Sequence, residues 1–184
     1  MKFLKVAYST CVGNFANKPR TDITTQGGSY SFHIGSPLPD LRQISSWMLT
    51  NAHSKRKLAR LVPALWRRHG REDVAMAALF LANLSSDDLG QDPWMAFIHL
   101  LQSKEPLSAV LEVAEELVRG GCSVPEDDWL VAASEQSPQW HQYCVLFLSL
   151  REYRTETSDV LVSNAPPGGE LFERIRERLL ESEH

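Results

Sequence analysis

Residues 53–84 read HSKRKLARLVPALWRRHGREDVAMAALFLANL, and the period of this stretch decides the fold class. Seven basic residues crowd its first part: Lys55, Arg56, Lys57, Arg60, Arg67, Arg68 and Arg71. Wound at about 100° per residue, Arg56, Lys57, Arg60, Arg67 and Arg68 share an arc about 120° wide. Leu58, Leu61, Val62 and Leu65 lie opposite, close to the i, i+3, i+4, i+7 spacing of a buried stripe. One face therefore enters a core, and the other presents cations. No acid stands between Asp40 and Glu72 to neutralise them. Pro63 lacks an amide proton, which predicts a kink or two shorter helices. Gly70 ends this segment. The next helix opens on Glu72 and Asp73, favourable at the positive end of the helix dipole. Its remainder is apolar on every side, so Ala78, Leu79, Leu81, Ala82 and Leu84 are expected in the core.

A row of cations is ordinarily a solvated helix face; its functional reading is a surface for a polyanion, most plausibly nucleic-acid phosphate. The charge map favours the second. Residues 1–75 hold twelve Lys and Arg against four acids, net +8, and residues 76–184 hold seven against nineteen, net −12. Such asymmetry points to a nucleic-acid or membrane contact on one side, or to halves that face each other.

The 184 residues are enough for a sizeable core, and the apolar and charged fractions, 43% and 23%, are those of an ordinary globular domain. No apolar run is as long as a membrane span. Lys5 interrupts the apolar N-terminus, and no small-x-small cleavage site follows, so a cytoplasmic protein is expected. Cys11, Cys122 and Cys144 are odd in number and lack metal-ligand spacing; Cys144 reads as a core residue.

Residues 3–12 are dense in β-branched and aromatic side chains, and residues 30–34 alternate. With the polar stretch NKPRTDITTQGG between them, residues 1–35 read as a short hairpin or an extended arm. Residues 36–184 read as helix after helix, with Pro- or Gly-marked connections. Pro39-Asp40 opens one carrying Leu41, Ile44, Trp47 and Met48; the basic and apolar helices follow; others begin at Asp92-Pro93, Pro106, Pro125 and Ser137-Pro138. Ser85 to Gly90 reads as a loop, Thr157-Ser158 as the cap of a turn, and residues 170–181 as a final amphipathic helix. The expected class is all-α: a HEAT-like α-solenoid or an irregular helical array.

The run FHIGSPLPDLRQIS, followed by LVPALWRRHGREDVAMAALFLANL, resembles the front half of the DNA alkylation repair glycosylases. The positions that carry the likeness are Phe32, Gly35, Pro37, Pro39, Arg42, Leu65, Trp66, His69, Glu72 and Ala75, within about residues 30–84. The resemblance implies a HEAT-like superhelix that holds duplex DNA in a basic concave face and removes positively charged alkylated purines. It also implies a Trp followed four residues later by an Asp, and a later Arg near a second Trp. Here Trp129 is followed four residues on by Ala133, and the chain beside Trp140 reads His141-Gln142-Tyr143 without an Arg. A carboxylate is what stabilises an oxocarbenium-like sugar in that chemistry.

Other carboxylates lie near aromatic rings: Asp127 and Asp128 precede Trp129, and Asp92 precedes Trp94 by two. All three stand at expected helix starts, where capping accounts for them. The five tryptophans, Trp47, Trp66, Trp94, Trp129 and Trp140, read as core or groove-edge residues. The histidines show no i, i+4 pair and no Cys partner, so no metal is expected. No phosphate-cradling glycine loop, Gly-x-Ser-x-Gly elbow or other cofactor motif is present.

Three functions follow. The first is a helical module like the DNA alkylation repair proteins, contacting nucleic-acid backbone through Lys55, Arg56, Lys57, Arg60, Arg67, Arg68 and Arg71, with the glycosylase signature not matched. The second is a HEAT-like scaffold that binds an acidic protein surface. The third is an active alkylpurine glycosylase with a relocated carboxylate.

Overall fold

A computed structural model describes residues 2–11, 30–31, 34–101 and 105–181. The polar stretch at residues 17–28, together with Phe32 and His33, lies outside the described residues. Among those described every regular element is an α-helix, as the expected all-α class requires. The contacts divide the chain into two compact units, Met1–Leu101 and Gln102–His184.

The first unit is built on α5 (Arg71–Asn83), ten of whose residues are buried, from Glu72 to Ala82. A helix apolar all round is stable only when other helices surround it. Its neighbours are α2 (Leu38–Asn51), α3 (Lys55–Ala59), α4 (Val62–Arg68) and α7 (Pro93–Ile98). The basic stretch forms two helices, as Pro63 demands. Arg60 and Leu61 keep right-handed helical torsions, and the Leu61 amide bonds to Leu58 three residues back at 2.8 Å. The ladder therefore tightens just before the residue that cannot donate. Leu58, Val62, Leu65 and Trp66 are buried, and Trp66 meets Phe97 edge to face at 5.9 Å. The five core positions expected from Ala78 to Leu84 are all buried.

Two elements differ from the sequence reading. Residues 1–35 were expected as a short hairpin or an extended arm, but within them Lys2–Cys11 form helix α1. Leu4 and Tyr8, one helical turn apart, are both buried, and this tertiary anchoring outweighs the strand propensity of their neighbours. Ser85 to Gly90 was expected as a loop and contains the single turn α6 (Ser86–Leu89). The Ser85 hydroxyl oxygen accepts from the Asp88 amide at 3.2 Å and holds that turn.

The second unit centres on α10 (Pro138–Leu148), where Tyr143 to Leu148 are buried consecutively. Around it pack α8 (Leu107–Arg119), α9 (Asp127–Ser134), α11 (Glu156–Ser163) and α12 (Glu170–Glu181). Ser137 caps α10 by accepting from the Trp140 amide at 3.1 Å, with Pro138 in the first turn. Thr155 and Ser158 form a reciprocal capping box that turns the expected short turn into a full helix, α11. No helix among the described residues is long and apolar enough to cross a membrane.

Candidate nucleic-acid interface

Lys55, Arg56, Lys57, Arg60 and Arg67 are exposed along α3, the tightened turn and α4. Their opposite face carries Leu58, Val62 and Leu65 into the core, so packing fixes which way the cations point. Arg67 donates from Nε to the Pro63 carbonyl at 3.3 Å, which restrains its stem and leaves the end of the guanidinium outward.

Arg68 and Arg71, placed with the others by sequence, stand apart from this open face. Arg68 Nε lies 2.8 Å from Asp73 Oδ2, with the Asp73 side chain 0% exposed. A buried carboxylate needs a charged partner, and the helical wheel, which treats the chain one helix at a time, is blind to that demand. Arg71 is half-buried and donates to the Ser36 carbonyl at 3.5 Å.

The two acids at the start of α5 form the polar centre of this unit. Three successive amides, of Ile34, Gly35 and Ser36, converge on Glu72 Oε1 at 3.0, 2.8 and 3.3 Å. Gly35 adopts φ +94°, a conformation that favours glycine and lets the three amides turn to one point. The nest is thus filled by the chain's own carboxylate. Tyr8 donates to Asp73 Oδ1 at 3.2 Å, and the Ser36 hydroxyl donates to the Tyr8 carbonyl at 2.9 Å. Burial first, then the Asp73 carboxylate, hold the Tyr8 phenol neutral far above its ordinary range. His69 closes α4 in the left-handed region at φ 53°, its ring 5.6 Å from that of Tyr30.

In the second unit, Trp129 and Trp140 meet edge to face at 6.4 Å. Ala133, four residues after Trp129, is 2% exposed and brings a methyl group to its site. Asp127 is fully engaged: Arg151 pairs with it, and the Thr155 hydroxyl donates to it. Burial opposes ionisation of Asp127, but the Thr155 and Arg151 hydrogen bonds outweigh it and hold the carboxyl below its ordinary value. Asp128 is exposed in the first turn of α9. Asp92 caps α7, accepting from the Trp94 and Met95 amides at 2.9 and 3.3 Å. His141 donates from Nε2 to the Leu161 carbonyl at 2.7 Å, near the C-terminal end of α11. Burial pushes the Cys144 thiol up to about 12, so it is packing material rather than a nucleophile. Among the described residues no three His, Cys, Asp or Glu side chains gather to hold a metal ion.

Trp47, read beside Leu41, Ile44 and Met48 as a core or groove-edge residue, is 57% exposed. At about 100° per residue it stands roughly 120° from Leu41, whereas Ser45 stands about 40° away. Leu41 and Ser45 are the buried residues of α2, so the wheel held the signal, and the apolar label of Trp47 obscured it.

No family model, no curated protein and no solved structure matches this chain.

Proposed function

We propose that this protein is a HEAT-like helical module, similar in plan to the DNA alkylation repair glycosylases, that contacts nucleic-acid backbone and does not excise bases. The observation that carries the reading is the open cationic face of Lys55, Arg56, Lys57, Arg60 and Arg67, set by the buried stripe behind it. The all-helical build of the described residues agrees with a HEAT-like plan. So does the direct bond between Gly35 and Glu72, two positions of the family likeness. Each cation that meets a phosphate releases condensed counterions, and such contacts carry no base information.

Four or five phosphate contacts give a log K against log salt slope of about −4 on duplex DNA. Changing Arg56, Arg60 and Arg67 together to Ala removes nearly three units of that slope. The fold survives, because Leu58, Val62 and Leu65 are untouched. Gel-shift titrations at several salt concentrations, on wild type and triple variant, test this. A folded protein that gives no shift at low salt removes the nucleic-acid reading and leaves the face as a docking surface for an acidic protein.

Against catalysis stand the buried methyl of Ala133 and the engaged carboxylate of Asp127. Purified protein should release no methylated purine from alkylated DNA. Release that disappears in Asp128→Asn would restore the reading of a relocated carboxylate.

A further inference from the structure

On the outer side of α2 a wide, open and shallow groove is formed by Arg42, Gln43, Ser46, Trp47, Thr50 and Asn51. Its described lining is one large aromatic ring, one cation, two carboxamides and two hydroxyls, with no acid among them. Gln43, Trp47 and Asn51 follow one another at i, i+4, so the indole has a carboxamide one turn before it and another one turn after. Asn51 donates from Nδ2 to the Trp47 carbonyl at 2.8 Å, which orients its amide and keeps Oδ1 as an acceptor. Phe3 of α1, itself 55% exposed, lies 5.9 Å from Trp47 with the rings tilted by 32°. Trp66 and Trp94 are buried and Trp129 and Trp140 half-buried, so Trp47 is the tryptophan that the described surface offers to solvent.

Trp47 and Phe3, both exposed and in contact, form a small aromatic platform among polar side chains. Its place relative to the cations selects the ligand. Lys55, the first of the open cations, follows Asn51 by four residues. Four residues of fully extended chain span at most about 14 Å, so the groove and the start of the phosphate-binding face adjoin. A positively charged track beside an aromatic platform is the arrangement that binds unpaired nucleotides, because every base has a π-face and every nucleotide a phosphate.

We propose that the α2 groove takes an unpaired nucleobase, stacked on Trp47, from a nucleic acid whose phosphates lie on the α3–α4 cations. Gln43 and Asn51 meet the base edge. Paired bases in a duplex have both faces covered by their neighbours and cannot stack there. The protein therefore prefers single strands, or duplexes with an unpaired residue, over perfect duplex. This rests on the backbone-contact reading above, and the test separates the two.

The full-length protein is titrated with a fifteen-residue oligo-dT, the corresponding oligo-U and a perfect duplex of equal length, following tryptophan emission and anisotropy of labelled strands. Either single strand should bind more tightly than the duplex and quench emission. Trp47→Ala should weaken single-strand binding roughly ten- to a hundredfold and leave duplex binding within about twofold. Trp47→Phe should retain most of the affinity and lose most of the quenching. Circular dichroism checks that each variant folds, as expected for an exposed position. Salt-dependent binding that is equal for duplex and single strand, and unmoved by Trp47→Ala, overturns this inference and leaves the backbone reading standing. Absence of binding to every probe fails the backbone reading itself. Concentration-dependent self-association abolished by Trp47→Ala would assign the groove to a second copy of this chain and overturn the proposal.

Discussion

Glu72 and Asp73 are adjacent in sequence and both 0% exposed, yet they are satisfied by different means. Asp73 is met by a charged side chain and a phenol, Arg68 and Tyr8. Glu72 is met at Oε1 by backbone, three amides from a turn that only Gly35 makes easy. Removing the Glu72 carboxylate leaves those amides to find water in a partly closed site, and each buried polar group left unmet costs about 1–3 kcal/mol. Since Gly35 is exposed, part of that loss is recovered. Glu72→Ala should therefore destabilise the protein by about 2–4 kcal/mol. Glu72→Gln should cost less, because a neutral acceptor remains. Urea denaturation of the three proteins at neutral pH measures the order; equal stability of Glu72→Ala and wild type would show that the nest contributes nothing. At Gly168 the constraint is space rather than conformation: a Cβ there would stand 2.5 Å from the buried Phe172 ring.

At the scale of the element, legibility followed how each helix is stabilised. α5 past its first turn and α10 from Tyr143 onward are apolar all round, and their sequences announce it. Leu81, 0% exposed, lies deep in α5. Leu81→Asp puts an unpartnered carboxylate into that core at a cost of several kcal/mol, enough to unfold the first unit, and loss of helical signal in circular dichroism at 25 °C reads this out. α1 was illegible because its helical form depends on distant residues: Leu4 and Tyr8 are buried, and the partner of Tyr8 is 65 positions away. α6 and α11 were missed or shortened because side-chain caps start them, a single hydroxyl in α6 and a capping box in α11, and caps add too little to stand out in a periodicity reading. The site was legible in part for the same reason. Exposed cations follow from one helix, whereas the withdrawal of Arg68 needs Asp73, which belongs to the next. The tie of α1 has a pH signature. The Tyr8 phenol is raised by burial first and by Asp73 second, from an ordinary value of 10.0. As pH rises past about 10, the unfolded chain loses this proton first, so stability that is full below that value falls above it. Tyr8→Phe should lower stability at neutral pH by about 1 kcal/mol and make the alkaline loss shallower. Urea midpoints compared near neutral pH and above about pH 10 decide; an unchanged alkaline slope would mean that Tyr8 is not held as described.

For the whole molecule, charge is the property that the sequence displays most openly. Met1–Leu101 carries twelve Lys and Arg against seven acids, net +5, and Gln102–His184 seven against sixteen, net −9. The division itself was not legible, since no Pro, Gly or Ser run marks residues 101–102. The full chain is −4 at neutral pH with a pI near 5.9, so a polyanion meets two opposing fields, a local cationic face and a net negative charge. Their ranges differ. At physiological salt the screening length is about 8 Å, and a phosphate touching Arg56 or Arg60 senses mainly its contact. At 0.01 M it grows to about 30 Å, and the charge of the whole chain is felt. Binding to DNA should therefore rise steeply as salt is lowered through about 0.1 M, and then flatten near 0.01 M instead of following one straight line. Lowering the pH from about 8 to about 6 brings the chain near its pI while Lys and Arg stay charged. Low-salt affinity should then increase and the flattening fade, while the slope at higher salt keeps its value of about −4. Titrations at those two pH values across the salt range separate the fields. If affinity instead follows net charge at every salt concentration, the polyanion adsorbs to the molecule at large and the α3–α4 face has no privileged part in binding it.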